Sequence, residues 1–598
     1  MKKLIKIVIF IFMFGFLFQT CKDYLDPYEY AILSRDKTYM ISTYVNNIPF
    51  AIYSRLPHTT GVGMTSASDE SENVNPNDNS QEFNKGTWHE QSSGDNIWSS
   101  AYKGIRTACD YLDGTDTLTW SQFASANRSV YLAKIRSLCI GRAEARFLQA
   151  YLYFELMRRY GEVPLITERL DIVPNMDYSQ FHLAPVSDVV DYISDQCDIV
   201  TSEGKYKLTL NQIEVLTANG TKLLQVPYRD TLSTLYDLTG INSAELGRAT
   251  KAAAYALKAK TLIYYASKQF NPNNDLLRWK SAAVACKKVL DLPASHYGLE
   301  ANYKDIFNRK NAWSKEFIFV RKTGPSQTFE ISNYPIAINR GTTGVCPSQD
   351  LIDSYELIVD ATTAVPFDWE NPAHIAKPYV NRDPRLAATV YVNDEMFHTA
   401  SPNNMTLQMW SGGNCDPAKY LASKTGYYLK KYIDPALDLS KTSSTSAKTW
   451  VLMRLADFYL FYAEAMNEVY GPDEDPEGLG LTARQAVNKV RTRAGMPDIY
   501  ATNQIEFRER IRNERRVELA FENHRWFDVR RWVEGDRYFN GELHGVEISK
   551  DGSTFNYKRF VIENRVYDQE KMKFYRISEA ELRRMGKIMS EDTPGTTL

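Results

Sequence analysis

The chain has 598 residues, 43% hydrophobic and 24% charged, with a formal net charge of −2. These proportions are ordinary for a globular protein and exclude collagen, coiled coil and wholesale disorder; the length allows about three to six domains at ~100–200 residues each, or one large fold with long excursions. Lys+Arg 71 balances Asp+Glu 73 and no basic run occurs, so the electrostatic footprint of a nucleic-acid binder is missing. Aromatic residues stand out, with Tyr 38, Phe 27 and Trp 10. Tyrosine pairs an apolar face with a polar tip, which suits wet recognition surfaces and helix packing alike.

Met1, Lys2, Lys3 and Lys6 precede an apolar run from Ile7 to Phe18, followed by Gln19, Thr20 and Cys21. A basic start and a short apolar stretch are a secretory signal, too short for a membrane span of about 20 residues. Cys21 directly after it resembles a bacterial lipobox, although Phe18, Gln19 and Thr20 are bulkier than the usual small residues there. The expectation is a signal peptide at 1–20, acylation of Cys21, a lipid-anchored segment at 21–40 and a single domain over 41–598. Acyl chains hold a chain at a membrane without a span. Removing Lys2, Lys3 and Lys6 with the signal leaves a net charge of −5. Six cysteines remain, none in a CxxC pair; Cys139, Cys197 and Cys286 fall in apolar helical patterns and read as buried small hydrophobes.

Helices follow in chain order. Ala143 to Tyr160 is apolar on nearly all sides, as a helix buried between others should be, and Gly161 with Pro164 ends it. Gly247 to Lys268 is alanine-rich and pairs with Ser281 to Leu290 across an Asn271-Pro272 break. Leu455 to Asn467 and Ala483 to Arg493 form another pair, and Glu506 to Phe521 is one more. Helix pairs with small residues at their seams predict a mostly α, tetratricopeptide-like stack, with its scaffold at about 94–292 and 450–522. Between them, about 293–449, lies a weakly periodic stretch rich in Asn, Gly, Ser, Thr and Pro, expected as a loop-rich excursion carrying function.

Chemistry is sparse. No HExxH zinc motif, GxSxG elbow or phosphate-binding loop occurs, and the eight histidines do not cluster in sequence. Neither a metal nor a cofactor is expected. Glu514 and Glu518 lie four apart on one helix face and could serve as an acid/base pair for glycoside hydrolysis. Arg512, Arg515 and Arg516 interleave with them, and Arg525, Arg530 and Arg531 follow. Neighbouring arginines depress carboxyl pKa values, the opposite of what a protonated general acid needs. The expectation is a structural ion-pair network in a protein that is not an enzyme.

Seven segments carry a family resemblance. Cys21-Lys22-Asp23-Tyr24-Leu25-Asp26 opens it, and Arg142 to Tyr151 running on to Tyr160-Gly161-Glu162-Val163-Pro164-Leu165 continues it. Asp350-Leu351-Ile352-Asp353-Ser354-Tyr355-Glu356 and Asn381-Arg382-Asp383-Pro384-Arg385-Leu386 come next. Thr425-Gly426-Tyr427 with Lys430-Lys431, then Tyr462 to Glu468, precede the most specific, Glu514 to Glu522 through Arg525 to Trp532. In this order they resemble the SusD/RagB family of Bacteroidetes outer-membrane lipoproteins; only the C-terminal stretch around Phe574 to Ser578 departs from its pattern.

The resemblance implies four tetratricopeptide-like helix pairs with a loop-rich ligand face, a glycan ligand, and a surface-exposed place on the outer membrane. It also implies a partner, a SusC-type TonB-dependent β-barrel over which the protein sits as a lid. Some relatives are thought to capture peptides, which is the alternative ligand class; a surface hydrolase using Glu514 and Glu518 is the other alternative. Ligand residues vary between members, so the site is read from the loops. Sugars need an apolar platform for one face and amide or guanidinium groups for their hydroxyls. Asp69 to Trp98 supplies Trp88, His89 and Trp98; Phe329 to Arg340 supplies Asn333, Tyr334 and Arg340; and the Gly-flanked segment near Met409 supplies Trp410.

Overall fold

The computed structural model describes residues 39–586 apart from 40, 58–62, 91, 93, 117, 119–127, 172–175, 204–244, 308–312, 400–403 and 502. Cys21 and the expected signal peptide lie outside the described residues. Ten of the described helices have eight or more residues: α1 Ser42–Tyr53, α2 Trp98–Gly114, α3 Arg128–Tyr160, α4 Val186–Thr201, α5 Lys251–Ala266, α6 Leu276–Leu290, α7 Leu455–Tyr470, α8 Ala483–Ala494, α9 Gln504–Glu518 and α10 Arg525–Trp532. They pack in succession, α1 on α2 and α3, then α3 on α4, α4 on α5, α5 on α6, α6 on α7, and α7 on α8 and α9. A chain in which each helix mainly touches its neighbours is the stacked-pair architecture expected from the sequence.

Local chemistry sets the boundaries. The Thr250 hydroxyl accepts from the Ala253 N–H to open α5, and the Asp275 carboxylate accepts from the Leu277 N–H to open α6. Thr482 and Gln485 form a reciprocal capping box on α8. Gly161 follows α3 at φ +73, the left-handed stop its position predicts. α3 begins four turns before the expected Ala143, because Tyr131, Leu138 and Ile140 are also buried. The seam alanines Ala253, Ala254, Ala256 and Ala259 are each 0% exposed, so α5 is held close to its neighbours.

The stretch from 293 to 449 is more ordered than its composition implies. It contributes β2 Phe317–Ser326 and β3 Val345–Pro347, with β4 Ser446–Arg454 closing it; β2 pairs with β4, and β3 with β1 Ser71–Asn73, both antiparallel. A second hydrophobic core lies beneath it, built from Leu351, Ile352, Tyr355, Val390, Phe397 and Leu407 and sealed by Val517 at the end of α9 and Phe521 in the turn after it. Pieces this short give no readable period. The sequence reading also passes over an antiparallel hairpin, β5 Gly541–Asp551 and β6 Thr554–Arg565, turning at Gly552 (φ +57). Val546 and Ile548 of β5 enter the second core. All six cysteines in the described residues are buried.

Candidate functional site

Glu514 and Glu518 sit at the C-terminal end of α9, 1% and 0% exposed. Glu518 accepts from Arg385 at 2.8 Å and Arg454 at 2.7 Å, and also from Arg493. Glu514 accepts from Arg385 at 2.5 Å and Arg491 at 2.9 Å. Arg454 also reaches Glu316 and Glu522, and Lys431 donates to Glu522 at 2.7 Å. The expected network is present, but its cations come from distant segments. The interleaved Arg515 goes instead to Asp457 and Asp528, and Arg516 to Asp69. Burial alone would raise Glu518; Arg493, Arg454 and Arg385 outweigh it and hold the carboxyl well below its usual range, and Glu514 is lowered in the same way. Neither can serve as a proton donor near neutrality.

Chain adjoining the three expected loops comes together. β1 pairs with β3, the Val74 N–H donates to the Gly344 carbonyl at 2.8 Å, and the Thr343 hydroxyl donates to the Leu421 carbonyl at 2.5 Å. Gly344, at φ +54, has no room for a Cβ against the Ser332 carbonyl. What the loops present differs from the expected set. Tyr334, expected as a platform, is 0% exposed, its hydroxyl donating to the Asp434 carbonyl and its ring 5.0 Å from Phe397. Asn333 is spent bridging the Phe329 carbonyl and the Val345 N–H. Trp410 is 8% exposed against Phe555, with Lys550 4.6 Å from its ring. These three are consumed by the second core, which the loop composition conceals.

Trp88 is half-buried against Phe83 and Tyr575, and Trp98 opens α2 half-buried against Tyr102 and Tyr160. His89 and Arg340 are exposed, and Arg340 donates to the Leu439 carbonyl at 2.6 Å. The aromatic that the sequence reading misses is Tyr420, 89% exposed next to the Leu421 junction. Its turn is stapled from below: the Lys419 amine donates to the Asn414 carbonyl at 2.9 Å, and Asp416 accepts from the Gly412 and Ala418 N–H groups. Pro417 and the positive φ of Leu421, +61, mark that turn; only the proline was legible beforehand.

Two cavities complete the picture. One of 420 Å³ lies in the helical scaffold, where Glu464 is already paired with Arg531 and Glu468 with Arg508. The other, 190 Å³, opens at the hairpin base between Asp350, Asp353, Arg516, Tyr538, Asn540 and Arg559. No cluster of three metal-ligating side chains occurs among the described residues, and no described helix is long and apolar enough to cross a membrane.

A family model described as "SusD family" matches residues 306–595, and one described as "Starch-binding associating with outer membrane" matches 23–263. The chain belongs to the SusD/RagB family. A SusD-like protein of Formosa agariphila is 23% identical over 577 residues, 89% of this chain and 90% of its own length, and one of Bacteroides ovatus is 24% identical over 77% and 73%. The SusD fold is shared with a Bacteroides fragilis SusD-like protein at TM-score 0.72 and 24% identity, covering 92% of this chain and 97% of that one. A second Bacteroides fragilis structure, named a SusD-like carbohydrate-binding protein, gives 0.67 at 20% identity over 92% and 99%; a laminarin-binding SusD-like protein gives 0.55 at 18% over 83% and 91%. The SusD/RagB motifs expected from the sequence supply the buried ion-pair lattice: Asp383 and Arg385, Lys431, and Glu514 to Glu522 all belong to it.

Proposed function

We propose that this protein is a glycan-capturing lipoprotein of the outer membrane that passes its ligand to a SusC-type TonB-dependent barrel. The observation that carries the reading is Tyr420, an aromatic held in solvent by a stapled turn where three loops meet. A flat ring held outward suits the C–H face of a sugar. The family's outer-membrane starch-binding description and the carbohydrate-binding names of two structural neighbours support the ligand class. Trp88, His89, Trp98 and Arg340 keep accessible surface and stay candidates for further ligand contacts.

A glycan array on the soluble form identifies the ligand, and calorimetry follows on Tyr420→Ala. A binding platform is worth ~2 kcal/mol or more, so affinity falls about 30-fold. Melting is unchanged, because the ring packs against little. Parent-like affinity in Tyr420→Ala would overturn the placement, and a blank array would overturn glycan capture at the loop face. No new reducing ends should appear from any polysaccharide that binds. Cys21→Ala should release the protein from membranes under carbonate washing; retention would overturn the anchor.

A further inference from the structure

The cleft at the hairpin base has the chemistry of a second, smaller sugar site. Asp350, on the short helix Gln349–Ser354, accepts from the Arg559 guanidinium at 2.6 Å, from the His544 ring nitrogen at 3.0 Å and from the His544 N–H at 2.7 Å. Asp353, one turn on, accepts from the Trp369 indole at 3.0 Å and the Gln349 amide at 2.6 Å. Both carboxylates are fixed in position, yet their side chains remain 19% and 20% exposed. A carboxylate offers about four lone-pair sites, so each retains acceptor capacity toward the cleft. Arg559 is 36% exposed on the same wall and keeps donors beyond the one given to Asp350.

The opposite wall supplies more donors. Arg516 lines it and binds Asp69 through one nitrogen at 2.7 Å. Asn540 is exposed at the rim. The Tyr538 ring offers no free stacking platform, because Arg525 and Arg537 lie 4.2 and 4.8 Å from its centre. The site is therefore dense in donors and acceptors without an aromatic face. The lining charges, four acidic and four basic, cancel, which favours a neutral ligand over an ion. Adjacent acceptor and donor, Asp350 beside Arg559, match the alternating O–H and oxygen of a vicinal diol through charge-assisted bonds. The volume of 190 Å³ is that of about six waters and lies below the ~300 Å³ at which drug-sized sites begin. It holds one ring.

We propose that this cleft binds a single neutral pyranose through its vicinal hydroxyls, so that the protein recognises a chain end or branch tip as well as a chain. The proposal rests on the glycan reading above and adds a subsite to it. β1 and β3 join the cleft to the Tyr420 junction: Ser348, next to the short helix that bears Asp350, and Gly344, at the loop junction, are four residues apart. At ~3.3 Å per residue that is roughly 13 Å.

The test uses saturation-transfer NMR on the full soluble protein with free glucose, galactose, mannose, xylose and fucose and their methyl glycosides, each at about 10 mM, where a ~1 mM binder is nine-tenths occupied. At least one sugar should receive saturation, and the signal should vanish in Arg559→Met and in Asp350→Asn while persisting in Tyr420→Ala. Arg559 is on the surface, so its variant folds; the Asn variant keeps an acceptor for the His544 N–H, and melting checks it. A panel without transfer, or transfer that survives both cleft variants, overturns the subsite. Array binding with a negative panel sinks the cleft alone. A positive, cleft-dependent panel with a blank array upholds the cleft and sinks the loop face.

Discussion

Glu518→Gln tests whether the motif-bearing end of α9 is structural. The side chain is 0% exposed and three guanidiniums converge on it. Glutamine keeps the shape, deletes the charge and turns an amide donor toward groups that only donate. Removing one member of a buried ionic cluster costs ~3–5 kcal/mol. Here the lower end applies, because every cation retains another acid: Arg385 keeps Asp383 and Glu514, Arg454 keeps Glu316 and Glu522, and Arg493 keeps Glu316. At ~2.1 cal/mol/K per residue over about 500 cooperative residues, the melting entropy is ~1 kcal/mol/K, so Tm falls by about 3 °C.

Calorimetry at pH 7 reads that shift against Glu509→Gln, whose side chain is 36% exposed between Arg512 and Arg537. A surface pair contributes ~0–1 kcal/mol, so the control moves by under about 1 °C. The pH profile has a definite sign. Burial raises Glu514, Glu518 and Glu522, but their cations outweigh it and leave all three below the ordinary carboxyl value. Their stabilisation is therefore present above about pH 4.3 and is lost as pH falls through the folded values. The gap between parent and Glu518→Gln should hold from neutrality down to about pH 5 and close on further acidification. If Glu518→Gln melts like the control, or affinity rather than stability is lost, the scaffold reading is wrong.

Glu70 is 1% exposed with a carboxyl oxygen that has no hydrogen-bond partner, and burial, then Asp69, push it up to about 8. The folded state thus keeps a proton that the unfolded chain releases near 4.5, so stability falls by up to about 5 kcal/mol as pH rises toward 8; Glu70→Gln should match the parent near pH 4.5 and melt higher at pH 8, and a pH-independent difference would refute this. Gly344→Ala forces a Cβ onto the Ser332 carbonyl at a left-handed φ, a strain of about 1–3 kcal/mol; calorimetry should show the loss and hydrogen exchange should rise at 419–425, whereas a silent substitution would contradict the junction. Tyr334→Phe leaves the Asp434 carbonyl without its buried donor, costing about 1–3 kcal/mol with glycan affinity unchanged; weaker binding at unchanged Tm would return Tyr334 to the ligand face.

The helices were legible because burial repeats along them at helical spacing and punctuation falls at their ends: Gly161 follows Tyr160, and the Asn271-Pro272 break separates α5 from α6. The ligand loops were legible as segments but not as surfaces. Tyr334 and Trp410 stand among Asn, Gly and Ser, a composition shared by a solvated loop and by irregular chain laid over its own core. Only contacts made far along the chain, Tyr334 with residue 434 and Trp410 with residue 555, separate the two cases. The ion-pair lattice was legible in kind but not in wiring, since Glu518 draws cations from residues 25, 64 and 133 positions away.

That wiring bears on what a family resemblance can say about a ligand. The recognised segments supply Asp383, Arg385, Lys431, Glu514, Glu518 and Glu522, each held by buried partners. A substitution at any of them removes a charge against which buried partners are balanced, so these positions are fixed by folding, whatever the protein binds. Tyr420 and the exposed edge of Arg559 carry no such debt to the core and lie outside the recognised segments. Motif likeness therefore identifies the scaffold, and the identity of the sugar is to be sought at the stapled turn, outside the motifs, and at the hairpin base, where Arg559 from outside them lines the same cleft as Asp350 and Asp353 from within them.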